Sequence, residues 1–138
     1  MSKITNVINN GDNKMIDISN AEFEVLEAIW CGYPATSNQI IERLNKDKEW
    51  HEKTVKTLLN RLLKKEAVAY EKEGRSYLYT PLLERSTYTH RESKSLIERM
   101  FQGKISPLVA SFASKNSLKK DDIEELKQLI SNWEQEND

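Results

Sequence analysis

Cysteine occurs once in this chain of 138 residues, at position 31, and there are only three prolines and four glycines. A single cysteine excludes an intramolecular disulfide framework and any cysteine-based zinc or iron–sulfur cage. It suits a reducing cytosol, and beside Trp30 the Cys31 side chain is expected as a small buried hydrophobe rather than a thiol sensor. The glycines, at positions 11, 32, 74 and 103, stand apart, so there is no glycine-rich phosphate loop, and no Gly-x-Ser-x-Gly elbow occurs. His51 and His90 have no metal-ligand spacing with each other or with Cys31 and are expected at the surface. No segment reaches the ~20 apolar residues of a membrane span. Residues 1–14 are rich in asparagine and lack the apolar core of a signal peptide, so 1–15 is expected as a disordered extension. Charge of one sign is missing too: the formal net charge is −1 although 31% of residues are charged, so any nucleic-acid case must rest on local clustering. Asp121, Asp122, Glu124 and Glu125 fit a helix start and a solvated face better than a pair of catalytic carboxylates. These absences leave no catalytic residue, no metal site and no cofactor. A soluble cytoplasmic protein that is not an enzyme is expected.

What is present is helical periodicity. Ser19 followed three residues later by Glu22 forms a capping box, and Phe23, Leu26, Ile29 and Trp30 then recur at helical spacing. Gly32 and Pro34 end that helix. Thr36 or Ser37 caps a second, short helix whose buried side carries Ile40, Ile41 and Leu44, and residues 45–49 form a polar turn. A third helix is expected over 52–65, with Val55, Leu58, Leu59, Leu62 and Leu63 as one apolar stripe. Strand-forming runs at 67–72 and 76–80 flank Glu73, Gly74 and Arg75, which predicts a β-hairpin. Three helices followed by a hairpin is the order of a winged helix-turn-helix.

The rest of the third helix carries the chemistry. Lys53, Lys56, Arg61, Lys64 and Lys65 are basic, Thr54, Thr57 and Asn60 are short and polar, and no acid stands between Lys53 and Lys65. A helix in the major groove must present short polar groups near its N-terminal half and long cations at its edges. Thr54 and Thr57 can bond base edges, whereas Lys53, Lys56 and Arg61 can reach either guanine or phosphate. Ser37 and Asn38 stand beside free amides at the start of the second helix, and Arg75 tips the hairpin within reach of flanking DNA. A basic helix face alone is usually a solvated surface; the order of elements around it favours double-stranded DNA. The alternative is a winged-helix module that binds protein through the same face. A hydrolase with an unrecognised site is a third possibility, opposed by the lack of a convergent acid, base and nucleophile.

Beyond Pro81 helical patterning resumes. Leu96 with Met100 and Ile97 with Phe101 pair at i,i+4 in a helix expected over 84–102, which Gly103 ends. Leu108, Val109 and Phe112 mark a short helix over 107–113, and Ile123, Leu126, Leu129, Ile130 and Trp133 mark a last one opened by Asp121 and Asp122. Three short amphipathic helices cannot cover these side chains themselves, so a second copy is expected against Leu96, Met100, Phe101, Leu108, Val109, Phe112, Ile123, Leu126, Ile130 and Trp133. The expected architecture is therefore mainly α with a small hairpin: a winged-helix DNA-binding domain over 16–82 and a helical dimerisation arm over 83–138.

The segments 18–30, 50–65 and 74–81, with the Thr54-Val-Lys-Thr-Leu-Leu-Asn-Arg-Leu62 core of the third helix, resemble the penicillinase-repressor family of bacterial transcriptional repressors. The likeness runs over about 16–133. It implies a homodimer on a palindromic operator with TACA and TGTA half-sites, with Lys53, Thr54, Lys56, Thr57 and Arg61 at recognition-helix positions. The copper-responsive branch carries a C-terminal Cys-x-Cys motif, and this chain has no cysteine after Cys31. The β-lactam-responsive branch is the better match, which implies control of β-lactam resistance genes. There a signalling protease pathway cuts the repressor before a phenylalanine, and the matching bond here lies between Ser111 and Phe112, with serine where relatives have asparagine.

Overall fold

The structure, a computed structural model, describes residues 16–137. The extension expected over 1–15 lies outside the described residues. The chain divides after Tyr88 into two compact units.

In the first unit, helix α1 (Asn20–Trp30) starts at the expected capping box: the Glu22 amide donates to Ser19 Oγ at 3.2 Å and the Ser19 amide to Glu22 Oε1 at 2.8 Å. Its inward face buries Val25, Leu26 and Ile29 completely. Helix α2 (Ser37–Leu44) opens on a second reciprocal box, between Thr36 and Gln39, so Thr36 rather than Ser37 is the cap. Arg43 on α2 donates to the carbonyls of Ala28 and Gly32 at 2.8 and 2.7 Å, satisfying acceptors that the end of α1 leaves open. Helix α3 (Glu52–Lys64) is capped by His51, whose Nδ1 accepts the Lys53 amide at 3.2 Å. Val55, Leu58, Leu59 and Leu62 enter the core and Leu63 packs at its margin.

Strands β1 (Val68–Glu73) and β2 (Ser76–Pro81) pair antiparallel from Val68↔Pro81 to Glu73↔Ser76. Because Glu73 pairs, the loop contains only Gly74 and Arg75, and Gly74 holds φ at 62°, the left-handed conformation a tight hairpin turn needs. Ala35 adds a bridge that the residue pattern did not reveal: its amide and carbonyl both bond Tyr79, at 3.0 and 2.8 Å. The hairpin is thereby tied to the segment entering α2. Leu83 and Tyr88 close the core, with Tyr88 stacked on Phe23 and Trp30 Nε1 donating to the Leu83 carbonyl at 3.0 Å.

Two expectations are corrected here. Cys31 is exposed, not buried, because α1 ends at Trp30 and the cysteine caps it on the outer side. Lys65 leaves the cationic face: its ammonium turns inward to the carboxylate of Glu22, which is 1% exposed, at 2.6 Å.

The second unit holds the remainder of α4 (Arg85–Phe101), α5 (Ile105–Ser114) and α6 (Lys120–Glu136). Helix α5 starts two residues before the expected Pro107, since a proline within the first turn forfeits no intrahelical bond. In this unit no described residue is buried. Leu96, Met100, Phe112, Ile123, Ile130 and Trp133 are exposed, and Phe101, Leu108, Val109 and Leu126 are half-buried.

Candidate nucleic-acid interface

The apolar stripe of α3 anchors that helix with its opposite side outward, and Lys53, Thr54, Lys56, Thr57, Asn60 and Arg61 are all exposed there. Their spacing sorts them into rows. Glu52, Lys56 and Asn60, four apart, face the hairpin, and Lys53, Thr57 and Arg61 form the adjacent row.

The first row lines a groove with the start of α2 and the hairpin. Its walls are Thr36, Ser37 and Asn38 on one side, Glu52, Lys56 and Asn60 on the floor, and Arg75, Ser76, Tyr77 and Tyr79 opposite. Five of the nine predicted DNA-contact residues, Ser37, Asn38, Lys56, Asn60 and Arg75, are thus brought to one place. Lys53, Thr54, Thr57 and Arg61 are outside that groove, on the neighbouring surface of the same helix. The first-turn amides of Ser37 and Asn38 have no intrahelical acceptor, which leaves donors suited to a phosphate.

Three side chains arrive already engaged. Thr57 Oγ1 donates to the Lys53 carbonyl at 3.0 Å, so its hydroxyl proton is used within the helix and its lone pairs and methyl remain for a base. Lys56 Nζ lies 3.0 Å from Glu52 Oε1, an exposed i,i+4 pair that little energy opposes breaking. The Lys56 hydrogen bond and then its charge hold the Glu52 carboxyl below the usual carboxylate range, so this acid stays ionised in the groove.

Glu52, Ser76, Tyr77 and Tyr79 were not anticipated as parts of the site. A signal existed for the tyrosines: Tyr77 and Tyr79 alternate on one hairpin face, and Tyr70 pairs across from Tyr79. Their rings cluster, with Tyr70 4.8 Å from Tyr77 and 6.3 Å from Tyr79. Burial, and then Tyr77 and Tyr70, push the Tyr79 hydroxyl's pKa upward, which keeps it protonated.

Among the described residues no cluster of histidine, cysteine and carboxylate can hold a metal, and no helix is long and apolar enough to cross a membrane. The array combines the cations and short polar side chains of α3 with the free amides at the start of α2 and a flanking hairpin.

Comparison with known proteins agrees. The family model described as penicillinase repressor matches residues 18–132. The methicillin resistance regulatory protein MecI of Staphylococcus aureus is 38% identical over 120 residues, 87% of this chain and 98% of that one. The penicillinase repressor of Bacillus licheniformis is 37% identical over 117 residues, 85% of this chain and 91% of its own length. Among solved structures, the DNA-binding domain of the repressor BlaI is 43% identical, covering 54% of this chain and 92% of that one with a TM-score of 0.49. The monomeric form of Bacillus licheniformis BlaI in complex with the blaP half-operator is likewise 43% identical at the same coverage, with a TM-score of 0.47. The winged helix with its cationic third helix, and the match over nearly all of the described residues, give one conclusion: the chain belongs to the penicillinase repressor family, whose members are transcriptional repressors and not enzymes.

Proposed function

We propose that this protein represses transcription in the cytoplasm by binding a palindromic operator with TACA/TGTA-type half-sites as a homodimer. The observation that carries the reading is the meeting of three elements at one groove: Lys56 and Asn60 of α3, the open amides at the start of α2 and Arg75 of the hairpin, with Lys53, Thr54, Thr57 and Arg61 exposed on the adjoining surface of α3. In that arrangement α3 enters the major groove, α2 braces a phosphate and Arg75 reaches the flanking backbone. The exposed apolar residues of the second unit support pairing of two copies, which places two recognition helices on half-sites about one helical turn, ~10 bp, apart.

Family membership supports genes of β-lactam resistance as targets and proteolysis as the inactivating event. Ser111 and Phe112 are exposed near the end of α5. Cutting between them separates α6 from the DNA-binding unit and removes the avidity of a second half-site. The intact chain should shorten by immunoblot and mass spectrometry after cells meet a β-lactam. Derepression with the chain intact would assign induction to another signal.

The primary test is footprinting with the full chain on DNA upstream of its own gene. A protected palindrome, lost as salt is raised, is expected. No protection at low salt would favour a protein-binding winged helix instead.

A further inference from the structure

We infer that Glu52 is a specificity-determining residue of the DNA-facing groove, accepting a hydrogen bond from an exocyclic amino group on the major-groove edge of the operator. The inference rests on the operator reading above and names what one groove residue does within it.

Glu52 is the first residue of α3 and shares the groove floor with Lys56 and Asn60. Base edges are read by the N-terminal residues of a recognition helix. An ionised carboxylate only accepts hydrogen bonds. Nearly everything DNA presents on this side also only accepts: phosphate oxygens, guanine O6 and N7, thymine O4 and adenine N7. The two donors are cytosine N4 and adenine N6. A carboxylate at this position therefore meets an amino group or is repelled by whatever else lies there.

Lys56 makes the arrangement workable. Free in solution, its ammonium at 3.0 Å neutralises Glu52. Both side chains are more than half exposed, so the pair exchanges partners readily. On a correct sequence Lys56 moves to a phosphate and Glu52 to the amino group, and each charge keeps a partner. On an incorrect sequence, freeing Lys56 for a phosphate strands the carboxylate against acceptors, so Lys56 stays with Glu52 and one phosphate contact is lost. Glu52 thus lowers affinity for random DNA more than for the operator. Glu52 is exposed and outside the core, so replacing it costs the fold only the small gain that an acid gives in the first turn of a helix.

The test measures affinity of the full chain for its footprinted operator, for every single-base-pair variant of one half-site, and for a random duplex of equal length, over a range of salt. In the wild-type chain one position loses about 5- to 30-fold when its cytosine or adenine is replaced, and the identity of that base tells N4 from N6 recognition. Glu52→Ala abolishes that penalty, binds random duplex several-fold more tightly, and steepens its salt slope by up to about 0.9, because Lys56 is released to a phosphate. Glu52→Gln keeps an acceptor without the charge, so it retains part of the positional penalty while random binding still rises. If Glu52→Ala reproduces the wild-type penalties at every position and leaves random binding unchanged, the assignment is overturned although the operator reading stands. A wild-type chain that binds no duplex preferentially overturns both.

Discussion

The most consequential single pair in the first unit is Glu22 with Lys65. Burial by itself would raise the pKa of Glu22, but the Lys65 hydrogen bond, the Ser19 amide and hydroxyl, and the Lys65 charge together hold it below the ordinary carboxylate value of 4.5. A depressed folded pKa contributes stability that is complete above the unfolded value and is lost as pH falls through the folded one. The pair therefore stabilises the protein above about pH 4.5 and ceases to do so in stronger acid. Lys65→Met should cost about 1–3 kcal/mol at pH 7, since it removes the countercharge from a carboxylate that is 1% exposed and leaves it the Ser19 amide. The same variant should show a shallower loss of stability on acidification, and urea titrations at pH 7 and pH 3.5 check both. At this scale the sequence was only partly legible. The capping role of Glu22 was visible because its partner Ser19 is local; its second partner lies 43 positions away, and no periodicity reports such a contact. Cys31 was misjudged for a related reason: residue type predicts burial on average, whereas the end of α1 decides it here.

Elements were more legible than pairs, because caps and apolar periods are local. The Ser19–Glu22 capping box, the stripe of α3 and the hairpin follow directly from residue order, whereas the second box, Thr36 with Gln39, was legible only as a cap at Thr36 or Ser37. Ends set by backbone handedness were less so. Helix α3 terminates with Glu66 at φ 60°, a left-handed position that favours glycine, followed by Ala67 donating back to the Leu62 carbonyl at 2.9 Å. Glu66→Gly should therefore stabilise the first unit by about 1 kcal/mol, readable as a higher urea midpoint at unchanged slope. No change, or a loss, would mean that Glu66 compensates its strain through contacts outside the described ones. The opposite experiment is Gly74→Ala. A Cβ there meets nothing within 4 Å, so only the left-handed backbone opposes it, and a loss of about 1 kcal/mol is expected. A loss well above that in thermal melts would point to a hairpin held more tightly than its turn requires.

For the whole molecule, the two units differ in kind. The first has a core of its own, while the second leaves Met100, Leu129, Ile130 and Trp133 at roughly 60% exposure. Apolar side chains at that density on short helices favour a second copy. If two copies pair as proposed, the wild-type chain sediments as a dimer and Ile130→Asp with Trp133→Asp should leave a monomer, with operator affinity greatly weakened and the melting of the first unit unaltered; an unchanged sedimentation coefficient would contradict the pairing. The exposure of these apolar side chains was legible as a surplus of apolar positions, and Ile105, also exposed, escaped that reading because it precedes Pro107. Of the groove, Ser37, Asn38, Lys56, Asn60 and Arg75 were legible, whereas its tyrosine wall depends on the Ala35–Tyr79 bridge that sets the hairpin against α2. On the proposed function, the outward face of α3 holds the operator by phosphate and base contacts together. The direct measurement is the slope of log affinity against log salt for operator and random duplex, in the wild-type chain, Arg61→Gln and Thr57→Ala. Arg61→Gln should reduce the slope by about 0.9 if Arg61 neutralises one phosphate, and Thr57→Ala should leave the slope alone while weakening operator binding more than random binding. Wild-type slopes and affinities in both variants would contradict the assignment of α3 as the recognition helix.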